Sequence, residues 1–551
     1  MTISKAQSRR RFLKQSAFGL AGFASLPSWL TAAVDIHGMP LLSPRQASKN
    51  FKPDVEFELV CQDVDFPILA GQKTRVQKYS AKLISGPEHT ITDIPNSFLG
   101  PLIRLHKGQK VRIHLLNQLN EVTITHWHGL HVPAEVDGHP MYAFGPGQKF
   151  VYEFEVVNRA CMAIYHPHPH EATARQVYHG LAGGIIVNDE EEAALELPTG
   201  EYELPIVIQD KLFDTSNQLI YSPGMHGNMF GFYGNRILVN GQPELQLDVA
   251  TCAYRLRFLN GSTARIYKLA WDDGTPITVL GTDGGLLNEP ENKPYVMLAP
   301  GERLDVWVDF SGRTIGSELV MRSLPFSGAL PQMGMGMMMG SRYGLPMGSD
   351  YAVFTVRVVK KVGDSPKLPA MLSKIAAYKI SDTANPNKPV PITISEGHMQ
   401  MLLNGRPHAF NDVQPIERIP VNTIQLMEIA HDNSGHGMGG MHGGMGMGMG
   451  RGRMGMGGMG MGGMMAMAHP IHLHGQQFQI VSRSLDSSRE NAYETVKHGF
   501  VNSGLKDTVL VMPGETVRII KPFQDYKGLF MFHCHNLEHE DMGMMREFSV
   551  E

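Results

Sequence analysis

The chain has 551 residues, with 49 basic and 53 acidic side chains and a formal net charge of −4. That length exceeds what one hydrophobic core usually serves, so we expect two to four domains. The nearly balanced charge provides no basic surface of the kind that nucleic-acid binding requires, which argues against a nucleic-acid partner. Four cysteines without a C-x-x-C pair do not indicate a zinc ribbon or a disulfide framework, whereas 35 methionines exceed what core packing explains.

Residues 1–33 have the features of an export signal. Residues 8–14 read S-R-R-R-F-L-K, and an apolar run from Ala17 to Leu26 follows them. The run is shorter than the roughly 20 residues that span a bilayer, and twin arginines before it are typical of the twin-arginine pathway. An ordinary secretory signal with extra arginines is the alternative. Cleavage after Ala33 would leave a periplasmic protein without a membrane anchor.

Alternation of apolar and polar residues predicts β-strands through the remainder of the chain. Phe150, Tyr152 and Phe154 alternate with mostly polar neighbours, which gives a strand one apolar face. Gly and Pro turns separate such runs, so β-sandwich domains are expected. The sequence V-N-G at 239–241 is echoed by L-N-G at 403–405, which favours an internal repeat. The predicted division is a first domain at 50–190, a second at 200–362, a linker of turn-forming residues at 363–390, and a third domain at 391–551 that contains a Gly/Met-rich insertion at 435–467.

Histidines flank the cysteine near the C-terminus. Cys534 lies between His533 and His535, and His539 and Met544 follow it. A thiolate, imidazoles and a weak axial thioether are the ligands of a blue-copper electron-transfer site. Four clusters of histidine, one of them holding a cysteine, indicate a site with several copper ions rather than chance solvated pairs. The three further clusters are H-W-H at 126–128, H-P-H at 166–168 and H-P-I-H-L-H at 469–474.

With these motifs in the same order, residues 50–551 resemble the multicopper oxidases, and most closely the bacterial copper efflux oxidase branch. The resemblance implies an all-β fold of three consecutive cupredoxin-like Greek-key β-sandwich domains, the second without copper ligands. It also implies four copper ions: one of type 1, one of type 2 and a type 3 pair. Matched position by position, the resemblance assigns four residues to type 1 copper: His469, Cys534, His539 and Met544. It assigns His126 and His472 to type 2 copper. Of the type 3 pair, one copper would be held by His128, His166 and His535, and the other by His168, His474 and His533.

Reduction of dioxygen to water takes four protons as well as four electrons. Two carboxylates match those of the family, Asp137 within E-V-D-G and Glu540 directly after His539. We predict that they donate protons to the copper cluster. The alternative is that they orient the ligand imidazoles, and one residue can do both.

Two methionine tracts are candidates for binding Cu(I) as a substrate, because a thioether is a soft donor. Members of the efflux oxidase branch also use an acidic residue just upstream of the H-x-x-H-x-H motif. The stretch 463–468 contains no acid here, so the substrate site of those relatives is not fully reproduced. The alternative is that both tracts are flexible apolar linkers that bind no metal. The candidate residues are Met333, Met335, Met337, Met464, Met465 and Met467.

The leading hypothesis is a monomeric periplasmic oxidase that couples oxidation of Cu(I) to reduction of O2 to water, in copper tolerance. A laccase for phenols, with the methionine-rich insertion as a lid, is the alternative in the same enzyme class. A copper store or cell-division scaffold without enzymatic activity is a third possibility.

Several residues near the motifs are expected to have structural roles or have no assigned role. Cys61, Cys161 and Cys252 are expected to be buried free thiols, although a disulfide between two of them stays open. Trp127 is expected to pack rather than to carry electrons. Six histidines have no assigned role, namely His106, His114, His131, His139, His170 and His179.

Overall fold

The computed structural model describes residues 42–331, 345–397, 400–431 and 466–551. The predicted signal at 1–33 therefore lies outside the described residues, as do Met333, Met335, Met337, Met464 and Met465. Met467 lies within them.

Nine strands of the first domain form two sheets, of order β2-β1-β5-β7 and β3-β4-β9-β8-β6. Alternate residues of β1 are buried, as the period of a half-buried strand requires. Side chains of both sheets share one hydrophobic core, so the domain is a β-sandwich. The strands are β1 (Val55–Phe66), β2 (Thr74–Ser85), β3 (Ile91–Thr92), β4 (Leu102–His106), β5 (Lys110–Asn117), β6 (Thr125–His128), β7 (Lys149–Glu155), β8 (Cys161–Pro167) and β9 (Gly183–Asn188).

The second domain pairs a seven-stranded sheet, β12-β11-β10-β14-β19-β16-β17, with a five-stranded sheet, β13-β21-β20-β15-β18. They too enclose a single core. The strands are β10 (Glu203–Lys211), β11 (Arg236–Val239), β12 (Gln242–Pro243), β13 (Gln246–Ala250), β14 (Ala253–Asn260), β15 (Tyr267–Trp271), β16 (Ile277–Thr282), β17 (Gly285–Lys293), β18 (Val296–Leu298), β19 (Arg303–Asp309), β20 (Glu318–Ser323) and β21 (Tyr351–Lys360).

The third domain has sheets of order β23-β22-β25-β30-β27-β28 and β24-β32-β31-β26-β29. Their common core contains Cys534 and Met544. The expectation of three β-sandwich domains is confirmed. The strands are β22 (Val390–Gly397), β23 (Gln400–Leu403), β24 (Arg418–Ile419), β25 (Thr423–His431), β26 (His469–Leu473), β27 (Phe478–Leu485), β28 (Leu505–Lys506), β29 (Thr508–Val511), β30 (Glu515–Phe523), β31 (Gly528–Cys534) and β32 (Met545–Val550).

Within the described ranges, helices are few and short. None of those in the described part of the chain has the length and apolar character needed to cross a membrane. The α-helices are α1 (Thr173–His179), α2 (Glu190–Ala193), α3 (Gly224–Phe230), α4 (Glu490–Tyr493) and α5 (Leu537–Asp541). Single 3₁₀ turns occur at Glu88–Thr90, Ala134–Val136, Pro140–Tyr142, Gly200–Tyr202, Ile380–Asp382, Pro415–Glu417, Ser487–Arg489 and Lys497–Gly499.

Candidate copper centres

The histidine motifs lie on paired strands. His126 and His128 are at the end of β6, and His166 of β8 stands opposite His126 in the antiparallel register. Because side chains alternate between the faces of a strand, histidines two residues apart point to the same side. In the third domain, His472 of β26 stands opposite His533 of β31. Each pair of strands therefore presents its imidazoles together.

Three groups of buried histidines meet between the first and third domains. Within each group, one ligand atom of every residue lies within 4.8 Å of the others. Two groups have the membership that the resemblance implies for the type 3 pair, and the third joins both predicted type 2 residues to one type 3 residue. The groups are His128, His166 and His535; His168, His474 and His533; and His126, His128 and His472.

The hydrogen bonds of these imidazoles show where their lone pairs point. The Nδ1 atoms of His126 and His472 lie 2.5 Å and 2.9 Å from the backbone oxygens of Asp137 and Asp507, so both Nδ1 atoms donate. Burial lowers the pKa of both imidazoles and keeps them neutral. Their Nε2 lone pairs then face each other at 3.4 Å. Such an arrangement is repulsive without a cation, so these residues fit a copper ion.

A second facing pair has the same character. The Nε2 atoms of His474 and His533 lie 3.2 Å apart, and Nε2 of His168 is 3.3 Å from that of His533. The other ring nitrogen of His474, Nδ1, lies 2.6 Å from Oδ2 of Asp137 and is hydrogen-bonded to it. Three nitrogen atoms therefore converge here without a hydrogen-bond donor for each, as in a metal-binding site.

The cysteine motif forms a separate cluster on the third domain. Nδ1 of His469 lies 3.4 Å from Sγ of Cys534, and Nδ1 of His539 lies 3.6 Å from the same sulfur. The amide of Cys534 donates to the backbone oxygen of Met544, whose side chain is fully buried. Burial raises the pKa of the Cys534 thiol, so a thiolate at this position needs a bound cation.

Both predicted carboxylates contact the histidine groups. Oδ2 of Asp137 accepts from His474, and burial raises the pKa of the Asp137 carboxyl. Oε2 of Glu540 lies 3.0 Å from Nδ1 of His533, and its Oε1 lies 3.7 Å from Nε2 of His168. Burial opposes ionisation of Glu540, but the neighbouring histidines hold its pKa below the usual value. These positions suit either predicted role, proton donation or orientation of imidazoles.

Asp507 is a buried contact of the cluster that the sequence motifs do not reveal. Its Oδ1 lies 2.9 Å from Nε2 of His128, and both of its oxygens accept from Arg303 of the second domain at 2.7 Å and 2.6 Å. Gly129, which follows the H-W-H motif, has φ +93°, and a Cβ there would lie 2.4 Å from Nη2 of Arg303. The glycine therefore leaves room for the ion pair that orients His128.

Glu396 is an acid beside the type 1 residues that comes from outside the acid-free stretch 463–468. It comes from β22, 73 residues before His469, and its Oε1 lies 2.9 Å from Nε2 of that histidine. The amide of Met467 donates to the same oxygen at 2.8 Å, and Nε2 of His431 lies 3.3 Å from it. Burial raises the pKa of Glu396, but the hydrogen bonds from His431 and His469 outweigh this and lower it to about 2.

The remaining predictions concern residues around the clusters. Cys61, Cys161 and Cys252 are buried and free, as expected. Trp127 is fully buried and packs edge-on against Tyr152, with ring centroids 5.0 Å apart. These contacts agree with a packing role for Trp127.

Comparisons with known proteins agree with this geometry. Models of the multicopper oxidase family match residues 75–192 and 457–551. A multicopper oxidase of Staphylococcus haemolyticus is 29% identical over 454 residues, which covers 82% of each chain. The crystal structure of the multicopper oxidase McoA from Aquifex aeolicus is 30% identical with a TM-score of 0.71, covering 93% of this chain and 100% of that one. A Campylobacter jejuni multicopper oxidase described as a metallo-oxidase is 25% identical with a TM-score of 0.67, covering 93% and 94%.

Three β-sandwiches, with a thiolate and imidazole cluster beside a group of converging histidines, define a copper-dependent oxidoreductase. The chain belongs to the multicopper oxidase family. It is therefore an oxidoreductase that uses O2, with the four copper ions typical of that family. Membership of this family favours an enzyme over the copper store or scaffold considered above.

Proposed function

We propose that the protein is a periplasmic cuprous oxidase, which oxidises Cu(I) to Cu(II), reduces O2 to water and so contributes to copper tolerance. Four Cu(I), one O2 and four protons give four Cu(II) and two waters. The observation that carries the proposal is the position of Glu396, a buried acid bonded to His469 at the end of the methionine-rich insertion. Carboxylate and thioether donors together suit a copper ion that arrives as Cu(I) and leaves as Cu(II).

We assign the resident copper ions as the resemblance implies. His469, Cys534, His539 and Met544 would hold type 1 copper, and the eight remaining ligand histidines would be shared as predicted, with His126 and His472 on type 2. When bound, these ions take up electrons singly and deliver four to O2. The chain itself provides the route between them, because His533 and His535 are peptide neighbours of Cys534 and only a few covalent bonds separate their side chains.

Glu396 has two effects on the proposed entry point. Its carboxylate accepts from Nε2 of His469, which directs Nδ1 of that imidazole towards Cys534. The same carboxylate places negative charge where an incoming cation would meet the edge of His469. The metallo-oxidase from Campylobacter jejuni supports a metal ion as the substrate.

Glu396→Gln tests the substrate. We expect kcat/KM for Cu(I) to fall on the order of 10-fold or more, because the neutral amide no longer attracts the cation, while kcat/KM for a phenol changes little. Steady-state oxygen uptake with each reductant measures both constants. Glu428→Gln is the matched control, since Glu428 is an acid of the neighbouring strand β25 paired with Arg518 at the surface.

Equal losses of kcat/KM for Cu(I) and for phenol in Glu396→Gln would contradict a Cu(I) site and leave a laccase as the better description.

The periplasmic location rests on residues 1–33, and replacement of Arg9 and Arg10 by lysine should retain the protein in the cytoplasm. Normal export of that variant, measured by cell fractionation, would contradict the twin-arginine signal.

A further inference from the structure

A pair of histidines lies outside the copper groups, between the first and third domains. His170 follows strand β8, and His408 stands in the loop between β23 and β24. Their ring centroids are 5.1 Å apart. The three imidazoles of one copper group, His168, His474 and His533, have centroids 5.0 to 5.3 Å apart. His170 and His408 therefore have the spacing of imidazoles that can share one metal ion.

His408 has polar atoms that the protein does not satisfy. The residue is partly buried, and both of its ring nitrogens are shielded from solvent without a hydrogen-bond partner among the described residues. Burial lowers the pKa of His408 to about 3, so the imidazole is neutral, with one N–H and one lone pair. A shielded lone pair without a donor is costly, and a bound cation removes that cost.

The backbone holds the His408 loop in place. The amide of His408 donates to the backbone oxygen of Gly543 at 2.9 Å. The amide of Asn411 donates to Oε2 of Glu547 at 3.1 Å. Both contacts fasten the loop to the segment that includes strand β32. The position of the imidazole is thus set by the protein itself, as a preorganised metal ligand requires.

Glu171 adds a carboxylate beside the pair. Its Oε1 lies 3.8 Å from Nδ1 of His170, beyond hydrogen-bond distance, and its side chain is 40% exposed. Two donors that each stand about 2.1 Å from a tetrahedral ion are about 3.4 Å apart, so a small rotation of the side chain brings both donors to one ion. Glu171 also has φ +61°, which is uncommon for a residue with a side chain. Such backbone strain occurs where a side chain is held for binding.

The charges around His408 permit a cation. Arg546 is the nearby positive group, but it donates to Glu417 at 2.9 Å and 2.7 Å and to Asp412 at 3.0 Å, and these carboxylates offset its charge. The negative charge of Glu540 acts in the opposite sense to Arg546 and favours a cation at His408.

The ring of Phe410 packs against both imidazoles, with centroids 5.4 Å and 5.0 Å away, and gives the site an apolar wall. A third imidazole near Phe410 belongs to His139. Its Nδ1 accepts from the amide of Met141 at 3.2 Å, so its Nε2 carries the proton and faces Glu547 at 3.3 Å. His139 is therefore engaged by the protein and is not a ligand of this site.

We propose that His170, Glu171 and His408 form a further metal site, distinct from the four resident coppers, that binds a divalent transition-metal ion. Two neutral imidazoles and a carboxylate suit Zn(II) and Cu(II), and Cu(II) binds such donors more tightly. Two ligands come from the first domain and one from the third, so the ion joins the domains at a second place. Binding involves no redox step, and the site goes beyond the proposed function because it does not depend on which reductant the enzyme uses.

Zinc titration of the copper-loaded enzyme tests the site, since Zn(II) is redox-inert. Isothermal titration calorimetry should show one zinc ion fewer per chain for His408→Ala than for wild type, with copper content and the blue band unchanged. Glu171→Gln, at a partly exposed position, should weaken binding of that ion on the order of 10-fold or more, because the amide lacks the negative charge. Equal zinc stoichiometry in His408→Ala and wild type, or unchanged affinity in Glu171→Gln, would overturn the proposal.

His106→Ala is the matched control. Nε2 of His106 also lies 3.8 Å from a glutamate oxygen, that of Glu190, but its Nδ1 lies 3.1 Å from the backbone oxygen of Lys107. This variant should bind as many zinc ions as wild type, and an equal loss in both histidine variants would overturn the site. One equivalent of Cu(II) added to the copper-loaded enzyme should give a further tetragonal Cu(II) signal in electron paramagnetic resonance. His408→Ala should lack that signal, and its presence at full intensity in the variant would also overturn the assignment.

Discussion

Cys534 has a position that no other cysteine of the chain shares. Its sulfur lies between His469 and His539, and its peptide neighbours are histidines of the other cluster. Three further thiols are equally buried but contact no histidine group among the described residues. The same side chain thus has two roles, a structural one at Cys61, Cys161 and Cys252 and a metal-binding one at Cys534, and the neighbouring imidazoles decide between them.

Cys534→Ser should remove the intense blue absorption and abolish oxygen uptake, because an alkoxide does not replace the thiolate as a copper ligand. Absorption spectroscopy and copper analysis measure the change. Cys161→Ser, at another buried free thiol, is the control and should stay blue. A blue Cys534→Ser protein would contradict the type 1 assignment.

Replacement of His533 or His535 should leave the blue band and stop O2 reduction.

Asp137→Asn and Glu540→Gln should slow O2 reduction on the order of 100-fold while reduction of type 1 copper by the donor stays normal. Stopped-flow traces of the blue band separate the two half-reactions. Glu538→Gln is the matched control, since Glu538 is as buried as Glu540 but lies 3.1 Å from the hydroxyl of Tyr221. Normal turnover per bound copper, with reduced copper content alone, would show that the two acids only orient ligands.

At the scale of elements, strand β26 is the junction between the insertion and both copper clusters. It begins at His469, next to Glu396, and ends beside His472 and His474. The described chain resumes at Ala466, so the insertion reaches the proposed Cu(I) entry within a few residues. A methionine-rich tract in this place can deliver a substrate or restrict access to it.

Deletion of residues 435–463 should lower kcat/KM for Cu(I) about 10-fold, because the thioethers no longer gather the cation, while bulky phenols react as fast or faster. A variant of full length with leucine in place of each methionine in this range controls for the loss of chain. It should lose Cu(I) activity as the deletion does but keep the wild-type phenol rate. Unchanged Cu(I) kinetics in both variants would contradict delivery, and loss of the blue band would indicate a role in folding.

At the scale of the whole molecule, the ligand histidines join the first domain to the third. His126, His128, His166 and His168 come from one sandwich and their partners from the other. The second domain contributes Arg303, which holds Asp507 by two hydrogen bonds. Bound copper should therefore stabilise the arrangement of domains as well as the site.

Removal of copper by a chelator should lower the thermal midpoint of unfolding. A ligand present about 1,000-fold above its Kd stabilises the folded state by about 4 kcal/mol, and re-addition of copper should restore the midpoint. Differential scanning calorimetry measures the change. An equal midpoint with and without copper would contradict a metal that clamps two domains. Addition of zinc in place of copper is the control for the identity of the metal, since zinc does not restore the blue band.

Local sequence predicted the ligand residues, because a strand period of two places both histidines of each H-x-H motif on one face and the resemblance assigns them to metals. It also indicated the β-sandwich class through the alternation in the segment that forms β7. Only the tertiary structure shows that Glu396 lies beside His469 and Asp507 beside His128. Glu396 is 73 residues from His469, and Asp507 is 379 residues from His128. An isolated acid has no motif, and only burial beside an imidazole distinguishes it from the many acids that remain in solvent.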